Sequence, residues 1–112
     1  MESVHQEVII YRDASGHEHF TEWLHTLTKQ ENAIVLDRLK RVKLGNFGDH
    51  KPIKGASGLF ELRFHLKQGF RVFYGREGND IVVVLSGSDK GDQARAIDLA
   101  IRLWNEYQKH KA

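Results

Sequence analysis

Between Gly58 and Tyr74 the chain reads GLFELRFHLKQGFRVFY, and the period of its apolar residues leaves little choice of local structure. Phe60, Leu62, Phe64 and Leu66 recur at every second position, the repeat of a strand with one face in a core. Glu61, Arg63 and His65 then face the other way. Lys67-Gln68-Gly69 has the length and the glycine of a short hairpin turn, and Phe70, Val72 and Tyr74 alternate again beyond it, which sets Arg71 beside Arg63 and His65. The stretch therefore predicts a β-hairpin whose outer face gathers two arginines, a histidine and a glutamate.

The rest of the 112 residues supplies elements to cover such a hairpin. Val4 to Tyr11 is β-branched and aromatic and ends in the turn-like Arg12-Asp13-Ala14-Ser15-Gly16, which predicts a first strand. Phe20, Trp23, Leu24 and Leu27 then fall at helical spacing. A second helix is expected from Gln30 to about Leu44, burying Ile34, Leu36, Leu39 and Val42, with Gly45 as its stop. Gly45 to Gly58, with four glycines and the only proline, reads as a mobile basic loop. Ile81 to Leu85 is a continuous apolar run, expected as a strand covered on both faces, and Ser86 to Asp92 as its exit loop. Ala96, Ile97, Ala100, Ile101 and Trp104 mark a last helix, with Asp92 as N-cap. These elements predict a single α+β domain over residues 1–112. It is a mostly antiparallel β-sheet with an N-terminal helical pair and a C-terminal helix, in the order β-α-α-β-β-β-α. The helices are expected on one face, leaving the other free for function.

The net charge of +2 conceals a division along the chain. From Arg38 to Arg76 there are ten Lys or Arg against two acids, a local balance of +8, so the remainder carries −6. A concentrated basic sector on a nearly neutral chain is the footprint of a polyanion site, nucleic acid foremost. Arg41, Lys43, Lys51 and Lys54 are the candidate RNA-binding residues outside the hairpin. The absence of cysteine excludes disulfides, thiolate metal sites and a cysteine nucleophile. The N-terminal residues lack a signal-peptide pattern and no apolar run reaches membrane-spanning length, so a cytoplasmic protein with no membrane partner is expected. The seven histidines lack metal-ligand spacing, and the glycines match neither a Walker loop nor a GxGxxG turn. No metal and no cofactor are expected.

Glu61, Arg63, His65, Arg71 and Lys90, with Lys54 near them, form the catalytic candidate set. Cleavage of RNA through its own 2′-OH needs a base for that proton, an acid for the leaving 5′-oxygen, and fixed positive charge around the phosphorane. Arg63 and Arg71 have forked donors for a phosphate, and Lys90 can stabilise charge or donate a proton. The proton-transfer group is open between Glu61, His65 and Lys90. A plainer alternative has Glu61 pairing across strands with Arg63 or Arg71 to keep a sheet face soluble. Phe73, on Arg71's face, and Phe47, in the glycine loop, are candidate base-stacking aromatics.

The segments GLFELRFH, GFRVFYG and VVVLSGSDKGDQARAIDLAI together resemble the RelE/ParE toxin superfamily, in particular its HigB-like, phage Gp49-related addiction-module killer group. The resemblance extends to FTEWLHTL and RLKRVKLGNFGDHKPIKG. It implies the toxin of a type II toxin–antitoxin module, an mRNA interferase that cuts messenger RNA on the ribosome without metal. The implied partner is a cognate antitoxin, a helix-turn-helix protein that would also provide the link to operator DNA. It also implies that Arg63, Arg71 and Lys90 occupy basic functional positions. The chain departs from the group where Glu61 stands at a position basic in some relatives and Ile97 at one that is a catalytic tyrosine in others. The resemblance also covers members that poison DNA gyrase, and a non-enzymatic antitoxin-binding co-repressor is the further alternative.

Overall fold

The computed structural model describes residues 4–66 and 69–111; Lys67 and Gln68 of the expected hairpin turn lie outside the described residues. The fold is α+β. The elements are β1 (Glu7–Ile10), α1 (His19–Leu24), α2 (Lys29–Lys43), β2 (His50–Pro52), β3 (Leu59–Arg63), β4 (Arg71–Glu77), β5 (Ile81–Ser88) and, after a 3-10 turn at Lys90–Asp92, α3 (Gln93–His110). One five-stranded sheet has the order β1-β5-β4-β3-β2. All neighbours are antiparallel except β1, which runs parallel to β5.

Several expectations are corrected. The glycine-rich loop contains the additional edge strand β2, and its Pro52 sits where an edge strand tolerates a residue without an N–H. On α2 the buried stripe is Val35, Leu39 and Val42, at spacings of four and three, while Ile34 and Leu36 face outward. A capping box at Thr28 and Glu31 sets this helix's start. Ser86, Gly87 and Ser88 remain in β5 and pair with Phe73, Val72 and Arg71 beyond a bulge in the β4–β5 ladder. Asp92 makes no side-chain cap and lies 3.7 Å from Arg95 instead.

Nor are the helices confined to one face. Helices α1 and α2 cover Leu62, Val72, Tyr74, Val82 and Val84. On the other face α3 covers Leu59, Phe73, Val83 and Leu85 with Ala100, Leu103 and Trp104. The C-terminal helix carries an apolar stripe that must be buried, and two glycines admit the tryptophans that lock the layers together. A Cβ on Gly75 would stand 2.1 Å from the Trp104 ring, and one on Gly87 would stand 2.2 Å from Trp23 on the opposite face. Each indole N–H is also used: Trp104 Nε1 donates to the Ser57 carbonyl and Trp23 Nε1 to Asp89. Neither face of the sheet is therefore left wholly open; among the described residues, Arg63, Arg71 and Ser88 mark an end of the α3 face that lies outside these apolar clusters.

Candidate functional site

Strand register assembles that end. Arg63 in β3 stands opposite Arg71 in β4, which stands opposite Ser88 in β5. In the next row Lys51, Glu61, Phe73 and Ser86 succeed one another across β2 to β5. Two arginines facing each other across a strand pair repel. The repulsion is relieved locally by the neighbouring Glu61, whose Oε2 accepts from Arg71 Nη1 at 3.0 Å, with Oε1 at 3.4 Å. The Glu61 side chain is 2% exposed and the Arg71 side chain 24%. Glu61 was expected on an open surface, but it is sealed beneath the arginine it neutralises. Such a carboxylate orients Arg71 and is not free to meet substrate.

His65 lies just past the end of β3 and is 76% exposed. Its Nε2 is 2.6 Å from Asp49 Oδ2, and Arg63 Nε lies 3.8 Å from the same oxygen. The hydrogen bond from His65, with the Arg63 charge behind it, holds the Asp49 carboxyl below its ordinary range. Asp49 is itself fixed by its backbone: its carbonyl accepts from Arg63 N at 2.9 Å and from Arg38 Nη2 at 2.6 Å. Arg38 further donates to the carbonyls of Phe47 and Arg63 and lies over the Phe64 ring at 4.9 Å. Reading the sequence identified neither Asp49 nor Arg38 as a site residue. The signal available was local: Asp49 is one of only two acids in the basic sector, and Arg38 opens it.

Arg63, His65, Arg71 and Lys90 come together around one cavity of about 310 Å³, completed by Gly69 and Gln93. Lys90 reaches it from the 3-10 turn, its side chain lying against Gly69 so closely that a Cβ there would stand 3.2 Å from Lys90 Cβ. Ser86 and Ser88 bury hydroxyls that have no hydrogen-bond partner among the described residues, in register with Phe73 and Arg71. The arrangement supplies three cations, one exposed imidazole oriented by a carboxylate, and a buried carboxylate that aims one cation. A neutral His65 that donates its Nε2 proton to Asp49 presents its Nδ1 lone pair as a base.

The remaining predicted residues do not converge on this cavity. Lys51 is exposed on the edge strand, in Glu61's row but at its outer end, and Lys54 is exposed in the following turn. Arg41 and Lys43 belong to α2, which packs on the opposite face, and Arg41 pairs with Asp37 at 3.0 Å. Their run along the sequence spreads over two faces because helix and strand project side chains with different periods. Phe73 is fully buried under α3 and cannot stack on a base. Phe47 is already stacked on Tyr74 and covered by Arg76 at 4.7 Å.

The sequence profile of the family described as Phage derived protein Gp49-like (DUF891) matches residues 22–105, from α1 through most of α3. An uncharacterized protein of Haemophilus influenzae is 38% identical over 88 residues, covering 78% of this chain and 87% of the relative. No helix among the described residues is long and apolar enough to cross a membrane.

Proposed function

Because this chain belongs to the phage-derived Gp49-like family, a family associated with addiction-module toxins, we propose that it is the toxin of a type II toxin–antitoxin module acting as an endoribonuclease on ribosome-bound mRNA. The observation that carries this reading is the cavity in which Arg63, Arg71 and Lys90 surround an exposed His65 backed by Asp49. His65 Nδ1 takes the proton of a ribose 2′-OH, and the 2′-oxygen attacks the adjacent phosphorus. As the new P–O bond forms, the P–O5′ bond breaks. The 5′-oxygen takes a proton from the Lys90 ammonium, leaving a 2′,3′-cyclic phosphate and a 5′-hydroxyl end. Arg63 and Arg71 hold the non-bridging oxygens, where charge accumulates in the transition state. Glu61 fixes the Arg71 fork from behind. Every step uses side chains of the chain itself, and neutralisation by an antitoxin is the regulation expected of such a module.

The test is brief expression followed by mapping of mRNA 5′ ends, together with an assay for gyrase-trapped DNA breaks. The wild type should create new 5′-hydroxyl ends and His65→Ala should reduce them by about 10²-fold or more, the usual contribution of a positioned proton-transfer group. Unchanged cleavage by His65→Ala removes the assignment of the base. Trapped gyrase breaks without new RNA ends remove the nuclease reading.

A further inference from the structure

A second cavity, of about 500 Å³, adjoins the first. The two share one wall: Phe64, His65 and Leu66 line both. On the far side of this ridge the lining changes character. In place of Arg63, Arg71 and Lys90 it presents residues of α2: the apolar Ile34, Asp37 and Arg41 one helical turn apart, and Arg38, whose guanidinium is already committed to the carbonyls of Phe47, Asp49 and Arg63. Ile34 is 38% exposed although it carries a large aliphatic side chain, and Leu66 faces the same space.

A nucleotide has the same division: a charged phosphate on one side of the ribose and, on the other, a flat ring with apolar faces and a polar edge. RNA is read in sequence through such splayed bases, gripped on their faces and hydrogen-bonded along their edges. Asp37 and Arg41 form an exposed ion pair, N to O 3.0 Å, so an acceptor and a set of donors stand side by side. An exposed i,i+4 pair is cheaply exchanged for other partners. Guanine is the base that matches both members. Its N1–H and N2–H are adjacent donors for a carboxylate, and its O6 and N7 are the acceptors that arginine recognises in pairs.

We propose that this cavity is a guanine-reading subsite for the nucleotide on the 5′ side of the scissile bond. Its base would lie between Ile34 and Leu66, its edge on Asp37 and Arg41, its ribose on the His65 ridge and its 3′-phosphate in the cationic cavity. The inference rests on the RNA-cleavage reading for the identity of the substrate, and it adds a specificity that the reading does not contain: cleavage after guanosine.

The isotope-labelled protein is titrated with 3′-GMP, 3′-AMP, 3′-UMP and inorganic phosphate while backbone amide shifts are followed. Expected are shifts at Ile34, Asp37 and Leu66 with 3′-GMP and binding about tenfold tighter than for 3′-AMP, within the discrimination of one bidentate contact. Asp37→Asn should bring 3′-GMP to the affinity of 3′-AMP and leave phosphate binding at Arg71 unchanged. Ile34→Glu, at another exposed position, should weaken all three nucleotides but not phosphate. Equal affinity for all bases, shifts confined to the Arg71 side, or selectivity that survives Asp37→Asn each overturn the subsite. Selective 3′-GMP binding without new RNA ends in cells supports the subsite while removing the nuclease reading. New RNA ends with no guanosine preference do the reverse.

Discussion

The sheet face beneath α3 has two halves that share the same three strands and differ in almost every other respect. Along β3 the face runs from Leu59 through Glu61 to Arg63, along β4 from Gly75 through Phe73 to Arg71, and along β5 from Val83 and Leu85 to Ser86 and Ser88. At one end Trp104 fills the space over Gly75 and the surroundings are apolar. At the other, two arginines face each other, Arg71 paired with the buried Glu61 and Arg63 lying near Asp49. The first half derives its stability from close packing. The second maintains a charged surface on a scaffold that the first keeps rigid, and Glu61 lies at the seam between them.

The largest effect should come from emptying the packed half. Trp104→Ala removes the ring over Gly75 and its bond to Ser57, and should cost about 3–5 kcal/mol in chemical denaturation, as large aromatic truncations in cores do. A loss below about 1 kcal/mol would mean that α3 does not hold this face.

An intermediate effect is expected at the seam. Arg71→Leu leaves the Glu61 carboxylate buried without its partner. It should destabilise by about 2–3 kcal/mol, somewhat under the full cost of breaking a buried pair because Arg71 is a quarter exposed. The double variant Glu61→Leu with Arg71→Leu should recover most of that loss. If the double variant is as unstable as the sum of the two singles, the pair is not the coupled unit the geometry describes.

The smallest effect lies on the exposed rim and shows in acid. Asp49 has a folded-state pKa below the ordinary 3.8, so near that pH the folded form binds fewer protons than the unfolded form. Its contribution to stability is complete above the unfolded value and is lost as the pH falls through the folded one. Asp49→Asn should therefore lower stability modestly at neutrality, where that contribution is complete, and flatten the dependence of stability on pH below about pH 4 so that the two proteins converge in acid, measured by denaturation at a series of pH values. An unchanged acid slope would show that the His65 contact does not bias this carboxyl.

Much of this was legible without coordinates because it depends on period and turn chemistry. The alternation through Phe60–Leu66 and Phe70–Tyr74 specified a hairpin, although its ladder runs only from the Leu59–Gly75 pair to the Arg63–Arg71 pair. The apolar run at Ile81–Leu85 specified an interior strand buried on both faces, and Arg63 and Arg71 meet through strand adjacency, with Lys90 reaching them from the turn after β5. What failed did so for physical reasons. Ile34 and Leu36 are apolar but lie off the 35-39-42 stripe, and periodicity in a short helix does not reveal which of two stripes meets the sheet. β2 has only three residues and contains proline, so its strand character comes from pairing with β3 and not from propensity. Asp49 lies well outside the hairpin segment, and only the β2–β3 pairing and the three carbonyl bonds of Arg38 bring it to His65.

By itself the sequence determined the elements other than β2, the α+β class and the supply of positive charge, since these follow from spacing along one chain. The tertiary structure alone decided how the charges are used. Whether Glu61 acts as a base or as the hidden counter-ion of Arg71 depends on burial and on which residue stands opposite. Those properties arise only when α3 closes over one half of a sheet face and leaves the other half open.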